Sequence, residues 1–140
     1  MRPVKLDRTG LLPIVEPTLG ADAVRGHPLR RTWSCYEAAD GGFDCGVWEC
    51  ESGAYRLEFQ PGTEECFVVV SGRIRILGDD GTSIECTAGE GGVIPPGFRG
   101  VVDVIEPVRK YFVFSRRRLS WGGLGIFRSP VAAAIACEPA

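Results

Sequence analysis

Histidine is almost missing from this 140-residue chain, which has one, His27. An iron, zinc, copper or nickel centre built on imidazoles needs several of them at one point, so no such centre can be assembled. Long apolar runs are missing too. No window approaches the roughly 18 uninterrupted apolar residues that a membrane span needs. There is no excess of positive charge: 16 Lys and Arg stand against 18 Asp and Glu, a net charge of −2. Local basic runs at 30–31 and 116–118 read as solvated surface, so nucleic acid and membrane are not expected partners. The opening stretch, MRPVKLDRTGLLPIVEP, breaks at Pro3, Gly10 and Pro13 before an apolar segment forms, and no export signal is read there. A soluble, cytoplasmic protein is the expectation. The cysteines at 35, 45, 50, 66, 86 and 137 form no CxxC pair, and in that setting they read mostly as reduced, buried small hydrophobes.

What is present is punctuation. Nineteen glycines and ten prolines interrupt short apolar stretches, the rhythm of an all-β protein. At least six strands are expected between 45 and 115: CGVWEC, GAYRLEFQ, ECFVVVSG, a hairpin over RIRILGDDGTSIEC turning on GDDG, GGVIPPGFRGVVDVI, and RKYFVFS. No helical crossover lies between them, which favours a sandwich or closed barrel over a parallel sheet. Residues 1–44 read as an N-terminal arm with its first strand near 11–15, residues 45–115 as the barrel core, and 116–140 as a tail. In the tail, SPVAAAIACEPA has the signals for one helical turn, with Ser129 as N-cap and Pro130 at the first helical position.

Spacing then becomes specific. Glu65 is followed by six residues and Gly72, and Gly89 by five residues and then PPG (Pro95–Gly97). This resembles the two motifs of the cupin superfamily, G-x5-H-x-H-x3,4-E-x6-G and G-x5-P-x-G-x2-H-x3-N. Over about 46–114, GVWECESGAYRLEF and IPPGFRGVVDVIEPVRKYFV look most like the ureidoglycine aminohydrolase-type branch. The resemblance implies a single small β-barrel of jelly-roll type and a homodimer, to which Tyr55, Leu57 and Phe59 could contribute. Carried over position by position, the motif histidines fall on Glu58, Gln60 and Gly100, the glutamate on Glu65 and the asparagine on Val104. No imidazole remains at any of them. That branch's E-x-H-x3-H pattern falls on Glu58, Gln60 and Glu64, and Glu58, Gln60 and Glu64 or Glu65 could offer oxygen donors to a hard cation such as Mn²⁺, Mg²⁺ or Ca²⁺. The main expectation is no cofactor at all.

Glu58 and Glu65 are the candidate catalytic groups. An inward Glu58 would suit general acid or base work. Its alternative is a pair with Arg56 or another arginine. Glu65 shares the parity of Phe67 and Val69, so it should face inward at the barrel mouth, for catalysis or for a structural hydrogen bond. Gln60 could orient a polar ligand or lie exposed at the strand end. Trp48 and Tyr55 could stack on a ligand or pack the core. Arg75 and Arg99 could hold a carboxylate, or line a solvated outer face. Cys50 reads as packing, because no base can be placed beside it. Gly100 should leave space in the barrel. The expected function is binding or transformation of a small polar metabolite, a carboxylate or nitrogen-containing acid, by Glu-based proton transfer. A non-catalytic binding module or structural dimer is the alternative.

Overall fold

Alternation of apolar and polar residues sets most of the backbone, and in the computed structural model, which describes residues 1–117, it yields nine antiparallel strands. They are β1 (Ile14–Glu16), β2 (Ala23–Arg25), β3 (Arg30–Glu37), β4 (Phe43–Cys50), β5 (Gly53–Glu58), β6 (Thr63–Gly78), β7 (Ser83–Thr87), β8 (Gly91–Ile94) and β9 (Arg99–Arg116). Six of them, β4 to β9, cover the interval in which at least six were expected, and the fold is the jelly-roll type anticipated. No helix among the described residues is long and apolar enough to cross a membrane.

Strand β9 organises the rest. One of its edges pairs with β5 from Glu58↔Arg99 to Gly53↔Val104, then with β4 from Cys50↔Val108 to Phe43↔Ser115. Its other edge pairs with β6 along nearly the whole length. The far edge of β6 carries β8 and then β7. The sequence suggested two strands where β6 runs as one. The pairing with β9 slips between Val69 and Ile74, and Gly72 sits there with φ +87°. A side chain at Gly72 would collide with the backbone of Pro107. Such a bulge bends a strand without ending it, and the bend curls the sheet towards closure.

The N-terminal segment is part of the wall. β3 pairs with β4 over its length, β1 pairs with β3, and β2 pairs with β5. Residues 14–25 therefore strap one sheet edge to the other. The strap is pinned where the Thr18 hydroxyl donates to the Pro28 carbonyl at 2.8 Å. His27 lies in the same loop, exposed, its Nδ1 3.1 Å from the Thr18 carbonyl.

Inside, Trp48, Tyr55, Phe59, Phe67, Phe112 and Phe114 pack with Val69, Ile74, Ile76, Ile94, Val102, Val104 and Val108, and Leu57 packs against them. Phe114 meets Phe59 and Phe112 edge-on at 5.7 and 5.5 Å. Burying each such side chain contributes about 1.5–3 kcal/mol. Tyr55 and Phe59 thus belong to the barrel interior and Leu57 packs against it, which leaves little of this row exposed for the part in a subunit contact that the sequence suggested. Cys45, Cys50 and Cys86 are buried, as expected of small hydrophobes, whereas Cys35 is half-buried and Cys66 exposed. Cys137 and the helical turn expected after Ser129 lie outside the described residues.

Candidate functional site

Which face of β5 points inward decides the fate of the sequence candidates. Tyr55 is buried and Leu57 half-buried, whereas Arg56 and Glu58 are exposed. The motif alignment is therefore one residue out of step with the strand, and a one-residue slip sends every side chain to the opposite face. Leu57 and Phe59 hold the inward positions. Glu58 is 57% exposed in its side chain and pairs with its cross-strand partner Arg99 at 2.9 Å. It does not face the barrel interior, which general acid or base work there would require. Gln60 is exposed and accepts from Arg116 at 3.1 Å, and Glu64 pairs with Arg117 at 3.2 Å. Glu58, Gln60 and Glu64 thus have separate outer partners, and Glu65, the alternative to Glu64 for a hard cation, pairs inside with Lys110. Among the described residues no three His, Cys, Asp or Glu side chains are gathered for a metal.

The arginine candidates are outside as well. Arg75 donates to Asp103 at 2.9 Å, and Arg25 meets the other carboxylate oxygen at 2.6 Å. Burial pushes the Asp103 carboxyl up, but these two guanidinium groups outweigh it and hold the carboxyl below its usual range. Arg56, the neighbour considered for Glu58, instead forms a two-pronged pair with Asp79 at 2.8 Å on each oxygen. Gly100 opens no space for a ligand. A Cβ there would strike the Leu77 carbonyl and the Phe98 ring, so the glycine serves close packing.

Three candidates do converge: Glu65, Trp48 and Tyr55. Around them stand residues that the sequence reading did not single out. Glu65 faces inward from β6 with 6% side-chain exposure, and Lys110 faces it from β9 with 5%. Their atoms Nζ and Oε2 are 2.6 Å apart. Trp48 lies directly across from Lys110 on β4, and its ring centre is 4.4 Å from Nζ. The Phe67 ring is 4.7 Å away on another side. At the strap, Arg30 lies over the Tyr55 ring at 4.6 Å and approaches Glu16 of β1 at 3.9 Å. Arg30 had been read as part of a solvated basic pair, but β1 holds it over the interior. All these groups except Phe67 line one cavity of about 60 Å³, room for a few ordered waters or a molecule of similar size.

Chemically, the cavity offers one buried acid–base pair inside an aromatic box. Burial pushes the Tyr55 phenol strongly up, so it stays neutral and acts as a hydrogen-bonding group. Burial likewise pushes the Cys50 thiol up to about 12, with Arg30 and Lys110 offsetting only part of the effect. A thiol held so firmly protonated is a poor nucleophile. Lys110 had a signal in the sequence. Positions 108, 110, 112 and 114 read Val, Lys, Phe, Phe, an inward row whose single charge demands a buried partner.

Geometry of this kind defines a class first: a small antiparallel barrel whose interior keeps a compensated charge pair. Comparison then supplies the family. The model of the EutQ-like cupin domain matches residues 37–112, more than half of the chain, and the protein belongs to that family. Its structure is similar to that of a DUF861-family protein of unknown function from Pseudomonas syringae pv. tomato, with 20% identity and a TM-score of 0.64. The match covers 79% of this chain but only 46% of that one. It is also similar to EutQ from Clostridium difficile, with 19% identity, a TM-score of 0.56 and 69% of each chain covered. Ectoine synthase from P. lautus matches with 15% identity and a TM-score of 0.55, over 71% of this chain and 68% of that one. At such identities the likeness is one of fold. No curated protein matches the sequence.

The cupin motifs imply a metal held by histidines, and the residues here do not fit one. The inward positions of β5 and the turn after it are Tyr55, Leu57 and Phe59, and the motif glutamate Glu65 is already engaged by an ammonium.

Proposed function

We propose that the barrel interior binds a small polar metabolite and that Glu65, with Lys110, moves a proton on it. The observation that carries this reading is the buried Lys110–Glu65 pair lining a cavity. A carboxylate and an ammonium in contact supply an acceptor and a donor at one point, and a low dielectric strengthens both towards a bound polar group. Arg30 at the strap suits a carboxylate on the same molecule, because a guanidinium matches it with two donors. The likeness of the sequence to ureidoglycine aminohydrolases favours a nitrogen-containing or carboxylic acid as that molecule. No metal-dependent step is part of the proposal.

A second reading has its own support. The cavity is small and walled by Trp48, Tyr55, Phe59, Phe112 and Phe114, which suits a binding or structural module in which the ion pair only fixes the packing. A thermal-shift panel of small carboxylates, amides and 2-oxo acids separates the two readings. Under the first, at least one compound raises the wild-type midpoint and loses that effect in Glu65→Gln. If no compound acts on the wild type, the structural reading takes its place.

A further inference from the structure

The choice of lysine at position 110 is unusual for this chain. Only two lysines occur, Lys5 and Lys110, while every other long cationic side chain is arginine. Lys5 is 87% exposed in its side chain, near the N-terminus. The ion pairs at Asp103, Asp79, Glu58, Glu49 and Glu64 all use arginine. At Glu65, the buried carboxylate of the interior, the partner is instead a primary amine. An amine differs from a guanidinium in one respect that matters here. Once deprotonated it is a nucleophile, whereas arginine stays charged.

The surroundings complete the argument. An ammonium has three N–H donors. Among the described residues Glu65 is the hydrogen-bond acceptor for Lys110, and the Trp48 and Phe67 rings flank the nitrogen. A carbonyl oxygen or carbon entering the cavity would therefore meet a nitrogen with bonding capacity to spare. Glu65 is in place to take the proton, its Oε2 lying 2.6 Å from Nζ. Arg30 and Lys110 line the same cavity, one over the Tyr55 ring and the other over the Trp48 ring. A molecule with a carboxylate for Arg30 and a carbonyl for Lys110 is an oxo acid, and a cavity of about 60 Å³ favours the shortest of these, the small 2-oxo acids.

We infer that Lys110 condenses with the carbonyl of a small 2-oxo acid to form an iminium in the barrel, with Glu65 as the proton carrier. This rests on the reading of the cavity as a metabolite site. The ammonium first gives a proton to Glu65, and the free amine attacks the carbonyl carbon, forming the C–N bond. Glu65 returns that proton to the oxygen, which gives a carbinolamine. A second proton leaves nitrogen for the Glu65 carboxylate and is passed to the hydroxyl, which departs as water while the C=N bond forms. Ammonium and carbonyl become iminium and water, so atoms and charge balance. The positive charge stays beside Glu65, and no oxidant, reductant or metal enters.

The test treats the full chain with pyruvate or glyoxylate and then sodium cyanoborohydride, followed by intact mass measurement and peptide mapping. The inference expects one reduced adduct per chain, on Lys110, formed at least 10-fold faster than on Lys5 or the N-terminal amine. Glu65→Gln should slow its formation, and Lys110→Arg, which keeps a cation beside Glu65, should abolish it. The wild-type peptide map decides the matter even if a variant fails to fold. Adducts confined to Lys5 and the N-terminus overturn the inference. If either acid also raises the wild-type thermal midpoint, the metabolite reading survives that result. If neither acid shifts the midpoint nor labels Lys110, the 2-oxo acid assignment falls, and the wider ligand panel still decides the metabolite reading.

Discussion

Replacing Lys110 by methionine removes a charge while keeping most of the side-chain volume, and its consequence can be worked out from the interior geometry. Glu65 is left as a carboxylate with 6% side-chain exposure and without its ion-pair partner. Breaking a buried pair from one side costs about 3–5 kcal/mol. The lost cation–π contacts with Trp48 and Phe67 are largely offset by contacts of the methionine sulfur with the same rings. At about 3–4 °C per kcal/mol for a domain of this size, the thermal midpoint should fall by about 10–20 °C at pH 8.

Adding Glu65→Leu removes the stranded carboxylate, and the double variant should return to near wild-type stability or exceed it. Urea unfolding followed by tryptophan fluorescence at pH 8 measures both variants. A single variant as stable as wild type at pH 8, or a double variant no better than the single one, would refute the buried pair as described.

Other substitutions probe the surroundings of the site. Asp103→Asn should flatten the acid limb of the stability curve. The native carboxyl is held below its usual range, so its contribution is full above about pH 3.9 and is lost as pH falls through the lower folded value; urea midpoints between pH 2 and 5 show it. Thiol labelling at pH 7.5, read by peptide mass, should modify exposed Cys66 before Cys50, whose thiol is buried and pushed up to about 12. Equal rates would contradict that burial. Gly100→Ala should destabilise by about 1–3 kcal/mol in denaturant titrations, because the methyl group meets the Leu77 carbonyl and the Phe98 ring. Glu58→Gln should change stability by no more than about 0.5 kcal/mol and leave any ligand-induced shift intact, since the carboxylate sits on the outer face.

The strands were legible because period-two alternation is a local property. GAYRLEFQ announces two faces, and the row Glu65, Phe67, Val69 correctly placed one carboxylate inside. What alternation cannot say is which face is inner when a motif and the apolar face disagree. In β5 the motif alignment pointed Glu58 inward, and the apolar row Tyr55, Leu57, Phe59 took that place, since burying it is worth far more than burying an acid. Lys110 is masked in RKYFVFS because both faces of that strand carry apolar residues, so its inward parity shows only when the two faces are sorted. Arg30 escaped for a different reason. Nothing near it in the sequence shows that β1, fourteen residues earlier, pairs alongside and folds it over Tyr55. Likewise the bulge at Gly72 joins two apparent strands into β6, and only the partner strand β9 shows that the chain bends there and continues.

The buried pair also bears on how a cupin barrel fares when its imidazole positions turn apolar. Glu65 occupies the position that resembles the motif glutamate, and a carboxylate enclosed by rings and valines must have a cation beside it. Lys110 supplies one from the same chain, in a form that needs no set of converging ligands. An apolar pair of similar volume often packs at least as well, so stability alone does not single out these two residues. They differ from Leu and Met in holding a movable proton and a primary amine against a cavity. A tethered ammonium cannot act as a divalent Lewis acid, but it can release a proton and form a bond to carbon. With Leu57 and Phe59 inward on β5 and Lys110 beside Glu65, the barrel interior presents an amine and a carboxylate in place of converging imidazoles.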